Sequence, residues 1–147
     1  MIIIKTKEEI EILREGGRRL ATILYKIKAK IAPGISTKDL DIYAEKLIRE
    51  GRDEPAFLNY RPAGAEIPFP AALCVSVNNE VVHGIPRKDR ILKEGDIVSI
   101  DLGLKHNGLF TDMAITVPVG VVNAGSKALL EITEQALQVG IDAAQAG

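Results

Sequence analysis

From residue 6 to residue 51 apolar positions recur every three or four residues, the spacing of helices with one buried face. Thr6 and Glu9 make a capping-box pattern at the start. Ile10, Leu13, Gly17, Leu20, Leu24, Ile27 and Ile31 form one stripe, with Gly17 admitting a close neighbour, and Ala32-Pro33-Gly34 stops the helix. Ser36 and Asp39 open a second helix, whose apolar face is Leu40, Tyr43, Ala44, Leu47 and Ile48 and whose end is Gly51. Residues 54–70 hold four prolines and a glycine and read as a long loop, a length more often functional than idle. The period then changes to two, and strands are expected over 72–77, 97–104 and 109–117, separated by turn-rich Asn78-Asn79 and residues 93–96. A last helix is expected from Ser126, carrying Leu129, Leu130, Ile132, Ala136, Leu137 and Ile141 before the helix-stop pair Ala146-Gly147. Two helices, a small antiparallel sheet and one more helix predict an α+β fold.

Composition narrows the class of protein. A chain of 147 residues is long enough for one domain with a core of its own. Its 19 Lys and Arg balance 20 Asp and Glu, which argues against bulk nucleic-acid binding. The apolar run at residues 1–4 is too short for a signal peptide or a membrane span. A single cysteine, Cys74, excludes an internal disulfide and fits a reducing, cytoplasmic setting. With two histidines, His83 and His106, any metal site made by this chain must rest mostly on carboxylates.

The strand pattern puts chemistry on one face. Val98, Ile100, Leu102 and Leu104 alternate with Ile97, Ser99, Asp101 and Gly103, and Thr111, Met113, Ile115 and Val117 alternate with Asp112, Ala114 and Thr116. Asn107-Gly108 is a type I′ turn signal between the strands. With a tight turn, His106 opposes Leu109, Asp101 faces Ala114 and Asp112 faces Gly103. The two acids are then diagonal neighbours on one face, roughly 7–8 Å apart at the backbone, and their small partners are expected to leave room above the sheet. Carboxylates so close repel unless a cation or a proton comes between them, and a hard or borderline divalent metal satisfies that need. The alternative is a wet sheet face carrying two unrelated acids.

His83 lies between a strand and the irregular Gly84-Ile85-Pro86, a place that presents a side chain into a cleft; the alternative is a loop histidine satisfied by backbone. His106, in the tight turn, reads as solvated. Cys74 reads as a small core residue rather than a nucleophile.

These segments resemble type I methionine aminopeptidases. The similarity is carried by Cys74-Val-Ser-Val-Asn78, by Glu80-Val-Val-His-Gly-Ile-Pro86, by the run from Leu92 through Asp101 to Gly103, and by Asn107-Gly108 through Asp112 to Pro118-Val119-Gly120. It extends more weakly over Pro55-Ala56-Phe57-Leu58 and the helices, and so covers residues 1–147 as the N-terminal half of a catalytic domain. The resemblance implies half of a pita-bread fold, an antiparallel sheet covered by helices. It implies two divalent metal ions, with cobalt, manganese, iron, zinc and nickel not distinguished, and hydrolytic removal of the initiator methionine from nascent polypeptides near the ribosome. Asp101 and Asp112 match metal ligands, and His83 matches the catalytic histidine that contacts substrate. Cys74, Phe69 and Tyr60 match residues lining the methionine pocket. Neither membrane attachment nor direct nucleic-acid binding is implied.

Two departures stand out. The segment from Tyr60 to Phe69 is longer than in the commonest members, which loosens the match at Tyr60. The family also draws a further histidine and two glutamates from a second, pseudo-symmetric half, which residues 1–147 are not expected to supply. On that count the chain is expected to be weakly active or inactive alone. Two copies pairing their acids, a non-catalytic peptide- or protein-binding module on the same fold, and a proline-type aminopeptidase are the other readings. Retention of both acids and His83 speaks against the binding module.

Overall fold

A computed structural model describes residues 3–146; Met1, Ile2 and Gly147 lie outside it, so the 1–4 apolar run and the 146–147 helix stop are seen only in part. Helix α1 (Lys7–Lys28) begins at the capping box, with Thr6 Oγ1 accepting from the Glu9 N–H and the Glu9 carboxylate accepting from the Thr6 N–H. It ends at Lys28, ahead of the expected Ala32-Pro33-Gly34 stop. Its buried stripe is Gly16, Leu20, Ile23, Leu24 and Ile27. The close-approach glycine is therefore Gly16, not Gly17. A Cβ on Gly16 would lie 3.3 Å from His106 Cβ and 3.4 Å from Thr111 Cγ2, whereas nothing stands within 4 Å at Gly17. Ile10 lies in the first turn, beyond the packed part of the stripe, and stays exposed.

Helix α2 (Thr37–Glu50) repeats the device, with a Ser36–Asp39 capping box and Gly51 as its C-cap. Leu40, Ala44 and Ile48 are buried, and Tyr43 and Leu47 pack at the edge of the core.

The sheet consists of β1 (Glu54–Pro55), β2 (Leu73–Val77), β3 (Ile97–His106) and β4 (Leu109–Pro118), all antiparallel to their partners. Strand β3 is central, with β4 along one side and β2 and β1 sharing the other. The register of the hairpin is the expected one: His106 opposes Leu109, Asp101 opposes Ala114 and Gly103 opposes Asp112. Strand β1 lies where a loop is expected, pairing Glu54 with Lys105 and Pro55 with Leu104. Two residues are too few for alternation to show, so only the partner strand reveals them.

Helices α1 and α2 cover one face of the sheet, burying Val75, Val98, Ile100, Leu102 and Leu104 beneath Leu20, Leu24, Ile27, Leu40 and Ile48. Helix α3 (Ala124–Ala143) is capped by Asn123, whose side chain accepts from the Ser126 N–H at 2.8 Å. Ser126 is thus inside the first turn rather than its opener. None of the described residues of α3 is buried; Leu129, Ile132, Leu137 and Ile141 are all exposed. Among the described residues no helix is long and apolar enough to cross a membrane.

Candidate metal centre

The face of the sheet turned away from α1 and α2 carries the polar groups in rows. Residues directly opposite on antiparallel strands share a face, so Cys74, Asp101 and Ala114 form one row and Ser76, Ser99 and Thr116 the next. Gly103 and Asp112 form the row on the other side of Asp101. Asp101 and Asp112 therefore stand as diagonal neighbours on one face, as the sequence pattern predicts.

Their environment is costly for two negative charges. Burial and the Asp112 charge raise the Asp101 carboxyl above its ordinary pKa, with a nearby His83 offsetting part of the effect. Burial raises Asp112 as well. Asp101 Oδ1 is buried without a hydrogen-bond partner. An orphaned carboxylate oxygen beside a second acid is a donor set suited to a divalent cation. Two carboxylates supply only part of such a site, and among the described residues no group of three or more His, Cys, Asp or Glu is placed to hold one ion.

An open cavity of about 520 Å³ has His83, Asp101, Ser99 and Ala114 in its wall. The room above Ala114 is real. The room expected above Gly103 is not, because a Cβ there would come within 2.6 Å of the Phe57 ring and 2.8 Å of Ala56 Cβ. Phe57 occupies that space and meets Phe69 edge-on, with ring centroids 6.5 Å apart. Phe57 is thus a wall of the site that pattern reasoning missed. Its only signal was Gly103, a missing side chain that an aromatic ring fills.

His83 is exposed at the cavity mouth and has a left-handed backbone, with φ +57°. Asn59 and Phe69 close the base of the long loop, with the Asn59 N–H donating to the Phe69 carbonyl at 2.9 Å and the Phe69 N–H to the Tyr60 carbonyl at 2.8 Å. Phe69 is half-buried; Tyr60, at the start of the loop excursion, is largely exposed. Cys74 is buried opposite Asp101, and burial together with the charges of Asp101, Asp112 and Asp41 pushes its thiol up to about 12. It stays a neutral thiol and is no nucleophile at neutral pH.

Two polar residues do structural work elsewhere. His106 is not solvated: its side chain is 12% exposed and Nδ1 stands 2.7 Å from Oδ1 of buried Asp53, whose Oδ2 lies 3.4 Å from Arg19 Nη1. This cluster ties the hairpin tip to α1 and to the turn after α2. Asp41 Oδ1 accepts from the Ala72 and Leu73 N–H groups at 2.8 and 3.1 Å, which anchors the start of β2 beside Cys74. An acid at helical spacing from Ala44 and Ile48 was the available signal for it.

The chain is 47% identical to methionine aminopeptidase 1 of Bacillus subtilis over 147 residues, all of this chain and 56% of that protein. It is similar to a solved methionine aminopeptidase of Thermotoga maritima, with TM-score 0.93 and 38% identity over 100% of this chain and 57% of that one. An Xaa-Pro dipeptidase from Bacillus anthracis shares the fold at 23% identity and TM-score 0.82. The architecture is the α+β, pita-bread type of these proteins, and the chain spans about half the length of the curated relatives it matches. The profile of metallopeptidase family M24 matches residues 11–147, a stretch that contains both acids and His83, and the chain belongs to that family.

Proposed function

We propose that this chain supplies Asp101 and Asp112 to the divalent-metal centre of a methionine aminopeptidase, an enzyme that removes the initiator methionine from nascent polypeptides. Membership of a metallopeptidase family implies divalent-metal use. The observation that carries the reading is the diagonal pair of same-face acids, one with a buried unpartnered oxygen, in a chain 42–47% identical to methionine aminopeptidases of Aquifex aeolicus and Bacillus subtilis. The site is read as holding two ions, whose identity the donor set leaves among cobalt, manganese, iron, zinc and nickel. When bound, such ions act as Lewis acids and make water a competent nucleophile at neutral pH.

The chain's own residues then have distinct parts. Asp101 and Asp112 hold the ions and fix their place on the rigid sheet. His83, at the mouth of the same cavity, donates a hydrogen bond to the scissile peptide group and stabilises charge that develops there. Phe69, Cys74 and Phe57 exclude water around the methionine side chain, and Tyr60 borders their loop. This reading places the protein in the cytoplasm, close to the ribosome. Among solved structures the proline-specific members of the fold reach 20–27% identity, against 27–38% for the methionine aminopeptidases.

Two carboxylates are too few donors for two ions, so the 147-residue chain is expected to bind divalent metal weakly and to hydrolyse peptide slowly or not at all. Calorimetric titration with Mn²⁺ or Co²⁺, together with turnover of a Met-Ala-Ser peptide, tests this. Weak binding abolished by Asp101→Asn supports the assignment. Robust hydrolysis by the 147-residue chain, or binding indifferent to both acids, contradicts it.

A further inference from the structure

We propose that Ser76 is a positioning residue for His83, acting through the Gly84 peptide; this rests on the reading of His83 as the group that meets substrate. His83 holds φ +57°, a left-handed conformation that a residue with a Cβ seldom adopts unless its surroundings impose it. Apolar packing does not impose it, because Val81 and Val82 are exposed. The restraint comes from the next residue.

Gly84 is laid flat on β2. Its carbonyl accepts from the Val75 N–H at 2.9 Å, and its N–H donates to Ser76 Oγ at 3.1 Å. A Cβ on Gly84 would stand 2.1 Å from the Val75 carbonyl oxygen and 2.7 Å from its carbon, so no side chain fits there. Both backbone hydrogen-bonding groups of Gly84 are thereby held by adjacent residues of a buried strand. On the other side of the arch, the Glu80 N–H donates to the Val77 carbonyl at 3.2 Å. Residues 81–83 span the space between these two ties, and His83 shares the cavity wall with Asp101.

Ser76 is the side-chain tie next to His83; the far end of the arch has its own, the Glu80 carboxylate, which accepts from the Val77 N–H at 2.8 Å. Ser76 is buried, and it lines the same cavity as His83. Its cross-strand partner Ser99 is engaged with Thr116 at 2.7 Å and is not free to replace its hydroxyl. Removing the hydroxyl leaves the Gly84 N–H without its acceptor, and the arch loses one of the two bonds that set the direction of His83.

The test uses the isotope-labelled 147-residue chain, without metal or peptide. The Gly84 amide in the unsubstituted chain should exchange far more slowly than the exposed Val82 amide. The His83 ring resonances should move when Asp101→Asn is introduced. Ser76→Ala should speed Gly84 exchange at least about tenfold and abolish the His83 response to Asp101→Asn, and Ser76→Thr should restore both. A general loss of packing is not rescued selectively by threonine and does not uncouple His83 from Asp101. Fast Gly84 exchange in the unsubstituted chain overturns the proposal without any variant. So does an undisturbed His83 response in Ser76→Ala, or failure of Ser76→Thr to restore it. Neither readout involves a metal or a substrate, so failure of the peptidase reading would leave them unchanged.

Discussion

Replacing Asp101 with asparagine is expected to stabilise the metal-free chain at neutral pH, although the reading above makes the residue essential. Burial and Asp112 hold the Asp101 carboxyl above its ordinary pKa. A carboxylate whose folded pKa is raised costs stability at pH above that value, and the cost disappears as pH falls through it toward the unfolded value. The hairpin register makes Asp101 and Asp112 diagonal neighbours. If the two charges stand as far apart as their backbones, roughly 7–8 Å, they repel by about 0.5 kcal/mol in water and about 2 kcal/mol at an effective dielectric constant near 20. Both side chains retain solvent contact, so the lower part of that span applies, about 0.5–1.5 kcal/mol. With a urea slope of about 2 kcal/mol per molar, the midpoint should rise by about 0.3–0.8 M at pH 7 in the presence of a chelator. The gain should shrink as the pH is lowered toward 4, because protonation then does what the substitution does. Excess Mn²⁺ should reverse the order by stabilising the unsubstituted chain alone. A lower urea midpoint for Asp101→Asn at pH 7 without metal would show that the acid serves packing rather than a cation.

Further expectations concern the packing that carries the site. Gly17→Ala should stabilise α1 by up to about 1 kcal/mol in thermal or urea unfolding, since the position is open and alanine is the better helix former. Gly16→Leu should instead cost about 1–3 kcal/mol or more by driving α1 away from His106 and Thr111. Gly103→Val should cost a similar amount, about 1–3 kcal/mol, and displace Phe57, visible as a changed aromatic resonance of that ring. His106→Ala should cost about 1.5–3 kcal/mol in urea unfolding, because it removes a hydrogen bond to buried Asp53.

The hairpin and its acids were legible in the sequence because a single turn signal, Asn107-Gly108, sets the register of ten residue pairs. The two helix starts were legible for a similar reason, since a capping box is a local arrangement of side chain and backbone. What escaped were features whose cause lies far along the chain. Gly16 and Gly17 are equivalent until the hairpin tip is packed against one of them. His106 looks like a solvated turn residue until Asp53, 53 residues away, is brought beneath it. Gly103 looks like an open space until Phe57 folds over it. The exposed apolar side chains of α3 mark the same boundary: periodicity identifies a helix face, and only a packed neighbour shows whether it is covered.

Paramagnetic broadening by Mn²⁺ in the amide spectrum of the 147-residue chain tests the assignment of Asp101 and Asp112 most directly. Broadening should centre on residues 101–103 and 112–114, extend to His83, and vanish in both Asp101→Asn and Asp112→Asn. Broadening centred on other acids, or unchanged in the two variants, would contradict the assignment.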